Sequence, residues 1–196
     1  MQSAPEFDIK LHFNAKSVTD MISVRPKNII KDANSSIALE CYTRFKILND
    51  DYQWNIGSFS AIVLKAKRNV LIYGFDCYRH RECESASARY WVYESGTEKQ
   101  LTFPSEASLE RQEGHPNSDI MSRILFPNPI KMTDSMEVEL RVQHIKVGVA
   151  NEKAYAGKEL LEDEKGIFEV KNALRSPNGT DKSRGQIPTI YYRLID

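Results

Sequence analysis

The sequence predicts an all-β domain, an antiparallel β-sandwich of jelly-roll type with little helix. Three observations predict it: apolar residues recur mostly with period two, short apolar runs are punctuated by turn residues, and helical periodicity is scarce. Phe7, Ile9, Leu11 and Phe13 alternate with Glu6, Asp8, Lys10 and His12, as in a strand with one wet face. Ile37, Leu39, Cys41, Phe45 and Ile47 share one odd-numbered phase, interrupted at Thr43. Met136, Val138, Leu140 and Val142 alternate with Glu137, Glu139, Arg141 and Gln143; the apolar phase then moves to Ile145, Val147 and Val149. A one-residue shift turns every later side chain to the opposite face, so a β-bulge or corner is expected near Gln143-His144.

The remaining strands are read from buried runs. Val70 to Phe75 is almost wholly apolar, which suits a central strand covered on both faces. Tyr90-Trp91-Val92-Tyr93 is aromatic and β-branched, again strand-like. Ile167 to Val170 and Ile190 to Ile195 complete the set. Turns are expected at Asn55-Ile56-Gly57, Ser95-Gly96, Pro127-Asn128-Pro129, Asp163 to Gly166 and Pro177-Asn178-Gly179, where Gly, Pro and Asn cluster. Ser17 to Ile22 predicts a short helix capped by Ser17, and Lys158 to Asp163 a turn. Ser105 to Gly114 is polar and charged and predicts a long loop.

Size and composition bound the function. A chain of 196 residues is the size of one large β domain and buries a core without covalent staples. Lys plus Arg number 27 and Asp plus Glu number 27, a balance that argues against a broad docking surface for nucleic acid or an anionic membrane. The cysteines Cys41, Cys77 and Cys83 are odd in number and irregularly spaced, so free thiols in a reducing compartment are expected. Met1 is followed by the polar run Gln2 to Asp8, so no secretory leader is expected. No apolar run approaches the roughly 20 residues of a membrane helix. Together these imply a cytoplasmic protein, in which the sequons at Asn34 and Asn178 stay unmodified.

No chemistry stands out. Of His12, His80, His115 and His144, none makes a spaced set with Cys, Asp or Glu that suits zinc. His80 and Cys83 form a half-site with no second half. Glu159, Glu162, Asp163 and Glu164 are clustered and read as a solvated face rather than an acid–base pair. Neither a phosphate-cradling glycine loop nor a nucleophile elbow is present. The basic-aromatic cluster Tyr78 to Arg81 is offset by Glu82 and Glu84, against a stacking site for nucleobases. No catalytic residue, cofactor or metal is expected.

The C-terminal stretch is more specific. Asn178-Gly179-Thr180-Asp181 is followed by Gly185-Gln186-Ile187-Pro188 and then Ile190-Tyr191-Tyr192-Arg193-Leu194. Asn-Gly supplies positive-φ residues for a tight turn, and Pro188 suits the start of a strand, where no ladder donor is needed. This succession resembles the C-terminal signature of the PHR domain family. Arg44-Phe45, Trp54, Gly57, Ser58, Ala61 and Ile62 resemble that family's early segment. Val70 to Tyr78, containing Gly74-Phe75-Asp76-Cys77-Tyr78, is similar to its buried strand ending Gly-Phe-Gly-Leu-Tyr. Leu125-Phe126, Pro129-Ile130, Met136 to Val138 and Tyr155 to Gly157 continue the likeness, which covers about residues 40 to 196. Asp76 stands in place of a family glycine, and Ile56 and Phe59 alter the family's glycine-rich loop.

The resemblance implies an antiparallel sandwich over residues 36–196, preceded by an extension, residues 1–35, of one added strand and a short helix. PHR domains occur in ubiquitin ligases of the Pam and Highwire type and in adaptors after BTB domains. A non-catalytic module is therefore implied, recruiting a protein substrate or partner, with no nucleic acid and no membrane insertion. The alternative is a structural component of a larger assembly such as the cytoskeleton. A third class is an enzyme or a sandwich that binds carbohydrate or a small molecule. Loops on a rigid scaffold carry recognition. Tyr52, Trp54 and Phe59 are the expected apolar anchors, with Tyr78, Arg79 and Arg81 as a polar rim. Trp54 and Phe59 are equally suited to plugging the core. Gly74, Gly179, Thr180, Gly185, Gln186 and Pro188 are expected to build the architecture.

Overall fold

The computed structural model describes residues 29–32, 35–53, 58–79, 86–97, 99–109, 117, 119–145, 153–161 and 165–195. Among them every regular element is a strand. In chain order these are β1 (Ile29–Asp32), β2 (Ser35–Ala38), β3 (Glu40–Thr43), β4 (Phe45–Gln53), β5 (Phe59–Ala66), β6 (Val70–Tyr78) and β7 (Ser87–Glu94). Then follow β8 (Ser105–Ser108), β9 (Met121–Met132), β10 (Glu137–Ile145), β11 (Lys153–Leu160), β12 (Phe168–Asn172), β13 (Arg184–Gly185) and β14 (Thr189–Leu194). The expected strand at Phe7–Phe13 and the helix at Ser17–Ile22 lie outside the described residues.

Two antiparallel sheets form the sandwich, a five-stranded one ordered β12-β5-β10-β7-β8 and a four-stranded one ordered β3-β14-β6-β9. A three-stranded sheet, β13-β11-β4, and the β1–β2 hairpin complete the topology. The period-two pattern explains the layers. Even-numbered Ile62, Leu64, Val92, Val138, Leu140 and Val142 point inward from the five-stranded sheet, where they meet Phe75, Ile124, Ile130, Ile190 and Tyr192 of the other. Aromatic rings lock the two layers together. Phe75 meets Tyr90 edge-on with centroids 5.9 Å apart, and Phe168 lies 5.4 Å from both Tyr42 and Tyr192. Such pairs add about 0.5–1.5 kcal/mol each beyond area burial.

Arg44 holds the C-terminal motif in place. Its side chain is wholly buried between β3 and β4. It donates to the carbonyls of Ile187 at 2.7 Å, Asp181 at 3.1 Å and Lys182 at 3.2 Å, while its backbone N–H donates to Pro188 at 2.8 Å. Burial pulls the guanidinium down to about 10, which leaves it charged at neutral pH. Gly179 takes φ +73° and Gly185 φ +145°. A Cβ on Gly185 would sit 2.3 Å from Thr180 Cγ2, so this loop closes only around glycine. The expectation of positive φ at both Asn178 and Gly179 is corrected: Gly179 alone takes it. Ser176, Pro177 and Asn178 form the turn before it, closed by the Gly179 N–H on the Ser176 carbonyl at 2.9 Å.

Several local expectations are overturned. The alternation from Ile37 to Ile47 is not one strand, because the chain breaks at Arg44, Tyr42 rather than Cys41 enters the core, and Ile47 is exposed. No bulge occurs at Gln143-His144. β10 keeps its register through Ile145 against β7, and His144 simply continues the buried phase. Pro127-Asn128-Pro129 is no turn between strands but an excursion within β9: Ile72 faces Ile130 while Gly74 faces Leu125. Residues 158–160 belong to β11 rather than to a turn. Ser105–Ser108, expected as loop, forms the edge strand β8 on β7.

Candidate partner-binding surface

Of the six residues expected to bind a partner, four lie among the described residues: Tyr52, Phe59, Tyr78 and Arg79. Tyr52 lies in β4 opposite Ala154. Trp54 and Arg81 lie outside the described residues, as do His80 and Cys83. Tyr78 and Arg79 are buried, at 4% and 7% exposure, and so do not form a rim. Tyr78 ends the central strand β6, whose neighbours cover it, and the Arg79 Nε donates to the Leu109 carbonyl at 2.6 Å. Phe59 is half-buried at the start of β5, and it stands on a surface that the sequence reading did not assemble.

That surface is the outer face of the five-stranded sheet. Antiparallel register sets its rows. Gln143 of β10 lies between Phe59 of β5 and Arg89 of β7, and Arg89 in turn faces Glu106 of β8. One row on, Arg141 lies between Ala61 and Trp91; the next places Glu139 between Val63 and Tyr93. Alternation sends all of these to one side of the sheet. The Arg141 guanidinium lies 4.5 Å from the Tyr93 ring centroid and 5.2 Å from that of Phe59. Its Nε donates to Glu139 at 2.5 Å. Phe59 and Trp91 are tilted rings 6.0 Å apart. Arg89 donates to Glu106 at 2.7 Å, and Lys171 to Glu137 at 2.6 Å. A depression of about 470 Å³ opens here, lined by Arg89, Trp91, Tyr93, Pro104, Glu106 and Gln143.

The sequence signal for this face was available. Arg89, Trp91 and Tyr93 occupy the phase of β7 opposite the buried Ala88, Tyr90 and Val92. A tryptophan on the wet phase of a strand is the unusual feature.

Two buried polar groups elsewhere have a different character. On the outer side of the four-stranded sheet, the Tyr191 hydroxyl donates to Asp76 at 2.6 Å, and Arg123 donates to the same hydroxyl at 2.9 Å. The Arg123 guanidinium also lies 4.4 Å from the Tyr191 ring centroid. Burial first, and then the Asp76 charge, push the Tyr191 phenol far above its ordinary value, so it remains a donor. Asp76, which replaces a family glycine, thus sits mid-strand in a charge-assisted network rather than in a turn. Inside the sandwich, Cys77 Sγ lies 3.1 Å from His144 Nε2. Burial, with Asp76 second, pushes that thiol strongly up, away from the thiolate a nucleophile requires. Among the described residues no group of three His, Cys, Asp or Glu is placed to hold a metal ion. Nor is any helix there long and apolar enough to cross a membrane.

Two packed antiparallel sheets, displaying an aromatic and arginine-bearing face on rigid strands, define the class as a β-sandwich whose exposed chemistry lies on a sheet surface. The model of the PHR domain family matches residues 43–193, and the chain belongs to that family. The match includes Arg44, the Gly74–Tyr78 strand end and the 178–188 loop that Arg44 clamps. Comparison with curated proteins gives no match.

Proposed function

We propose that this PHR domain is a non-catalytic protein-recognition module of the cytoplasm, which recruits a protein substrate or partner into a ubiquitin-ligase or similar assembly. One observation carries the reading: Phe59, Trp91 and Tyr93 stand half-buried beside Arg89 and Arg141 on one open sheet face. Aromatic and arginine side chains supply most of the energy at protein interfaces. Here they are ordered before binding by strand register, ring contacts and ion pairs, which lowers the entropy lost on association.

The test is affinity capture from cell extract, comparing the intact chain with Arg89→Glu and with an Arg89→Ala, Trp91→Ala double variant, each checked for its fold by circular dichroism. The intact chain is expected to enrich a ubiquitin-ligase subunit or a ligase substrate. Both folded variants are expected to lose it by roughly tenfold or more, the loss of one hot-spot side chain. Equal enrichment by all three proteins overturns the assignment of this face. A metabolite that raises the melting temperature, with no protein captured, overturns the recognition role itself.

A further inference from the structure

Hydrogen-bonding capacity collects inside the C-terminal loop. Arg44 Nε, Thr180 Oγ1 and Gln186 Nε2 are buried and have no hydrogen-bond partner among the described residues. The residues that carry them are 0%, 3% and 1% exposed. Buried polar groups pair with protein or with ordered water, because a group that pairs with neither forfeits its hydration. We infer that the 178–188 loop encloses a bound water molecule, which joins Arg44, Thr180 and Gln186.

The chain brings these three side chains to one place. The Arg44 guanidinium bridges the two arms of the loop. One terminal nitrogen donates to the carbonyl of Ile187, the neighbour of Gln186, and the other to that of Asp181, the neighbour of Thr180. Nε is the remaining donor of the same planar group. Thr180 in turn packs on Gly185, the other neighbour of Gln186. A Cβ on Gly185 would lie 2.3 Å from Thr180 Cγ2 and 2.8 Å from Thr180 Oγ1, so glycine is what admits the threonine there. Backbone bonds pin the arm that carries Gln186: its carbonyl accepts from the Tyr78 N–H at 3.0 Å, and that of Pro188 from the Arg44 N–H at 2.8 Å.

The hydrogen-bonding types select the occupant. Arg44 Nε only donates, whereas the Thr180 hydroxyl and the Gln186 amide each carry a donor and an acceptor. Water accepts two bonds and donates two, and a buried water makes about three. It accepts from Arg44 and from the Gln186 amide and donates to the Thr180 oxygen. Charge excludes ions of either sign. A metal cation meets the guanidinium. An anion meets the carbonyl oxygens of Ile187, Asp181 and Lys182, whose negative ends already face that guanidinium. A neutral molecule meets neither obstacle. The water also accounts for two polar side chains at core positions, Thr180 and Gln186, where apolar residues of the same size would otherwise serve.

The experiment pairs size-matched substitutions with a count of long-lived waters. Thr180→Val and Gln186→Met keep the bulk of each side chain and remove its polar atoms; each is checked for its fold by circular dichroism. If the site is dry, each change relieves a buried polar group, and the urea midpoint stays level or rises. With the water bound, each change removes one of its bonds, and the midpoint is expected to fall by roughly 0.5–1.5 M. The double variant is expected to fall by less than the sum, since one molecule serves both side chains. Relaxation dispersion of the water oxygen is expected to count one long-lived water fewer in the double variant than in the unmodified chain. Thr180→Ser keeps the hydroxyl and is expected to keep the water, which holds the test open if Thr180→Val does not fold. Midpoints level with or above that of the unmodified chain in both single variants overturn the inference, as does an unchanged water count. A midpoint of the unmodified chain that rises with chloride at constant ionic strength, while that of Gln186→Met does not, assigns the site to an anion and overturns it as well.

Discussion

Replacing Arg44 with methionine tests the clamp on the C-terminal loop. The guanidinium is wholly buried and donates to the carbonyls of Ile187, Asp181 and Lys182. Methionine retains much of the apolar stem, so the substitution isolates the charged head. A hydrogen bond from a charged group is worth about 1.5–3 kcal/mol net, but three bonds from one head are not additive. Removing the head also relieves the cost of its own desolvation, which is several kcal/mol for a buried ion. What remains is the buried Ile187 carbonyl without its donor, at about 1–3 kcal/mol. The two part-buried carbonyls turn to water at smaller cost. The expected net loss is about 2–4 kcal/mol, within the range of a broken buried network. At a urea slope of about 2 kcal/mol per molar, the midpoint falls by roughly 1–2 M. The assay is equilibrium urea unfolding at neutral pH, followed by tryptophan fluorescence and circular dichroism together. Lys46→Met, two residues away and exposed, is the control and is expected to change stability by under about 0.5 kcal/mol. A midpoint for Arg44→Met equal to or above that of the unmodified chain would falsify the clamp. It would mean that desolvation of the guanidinium matches everything its bonds contribute.

Two further outcomes follow from the same sheet. A Cβ at Gly74 would lie 2.1 Å from the Ile124 carbonyl oxygen and 2.9 Å from Leu125 Cα, atoms of backbone that cannot swing aside. Gly74→Ala is expected to cost about 3 kcal/mol or more, a fall in melting temperature of roughly 6–12 °C for a chain of this size. A fall of under about 2 °C in calorimetry would show that β9 yields at its excursion. Tyr191→Phe removes a buried donor from Asp76 and is expected to cost about 1–3 kcal/mol. Combined with Asp76→Asn in a double-mutant cycle, it is expected to show a coupling of about 1–3 kcal/mol; additive effects would mean that the two groups act independently.

Legibility followed the length and purity of the hydrophobic pattern. β6, β7, β10 and β14 lie where alternation or apolar runs placed them, because one or both faces are buried and burial selects side chains directly. Edge strand β8 was missed, since Ser105-Glu106-Ala107-Ser108 contributes little apolar surface and is ordered by its neighbour β7. The phase change after Gln143 misled because His144 is a polar residue in a core position, satisfied by the Cys77 sulfur 3.1 Å away. Arg44 is a related case. A charged residue breaks an apolar pattern on paper, and three distant carbonyls make it a core residue in the fold.

The candidate surface divides along the same line. Phe59 was singled out from the sequence, and the alternation of β7 and β10 was read there too. No local pattern could show that Phe59, Arg141, Trp91, Tyr93, Arg89 and Glu106 are neighbours, since they come from four strands separated by up to 82 positions in the chain. The sequence by itself determined the class of fold, the membership signature from Arg44 to Leu194 and the existence of most strands, because periodic burial and turn chemistry are local properties. Only the tertiary structure decided which strands pair and in what register. Register sets which charges neutralise one another, which rings stand together and which polar residues are buried, and these contacts are non-local.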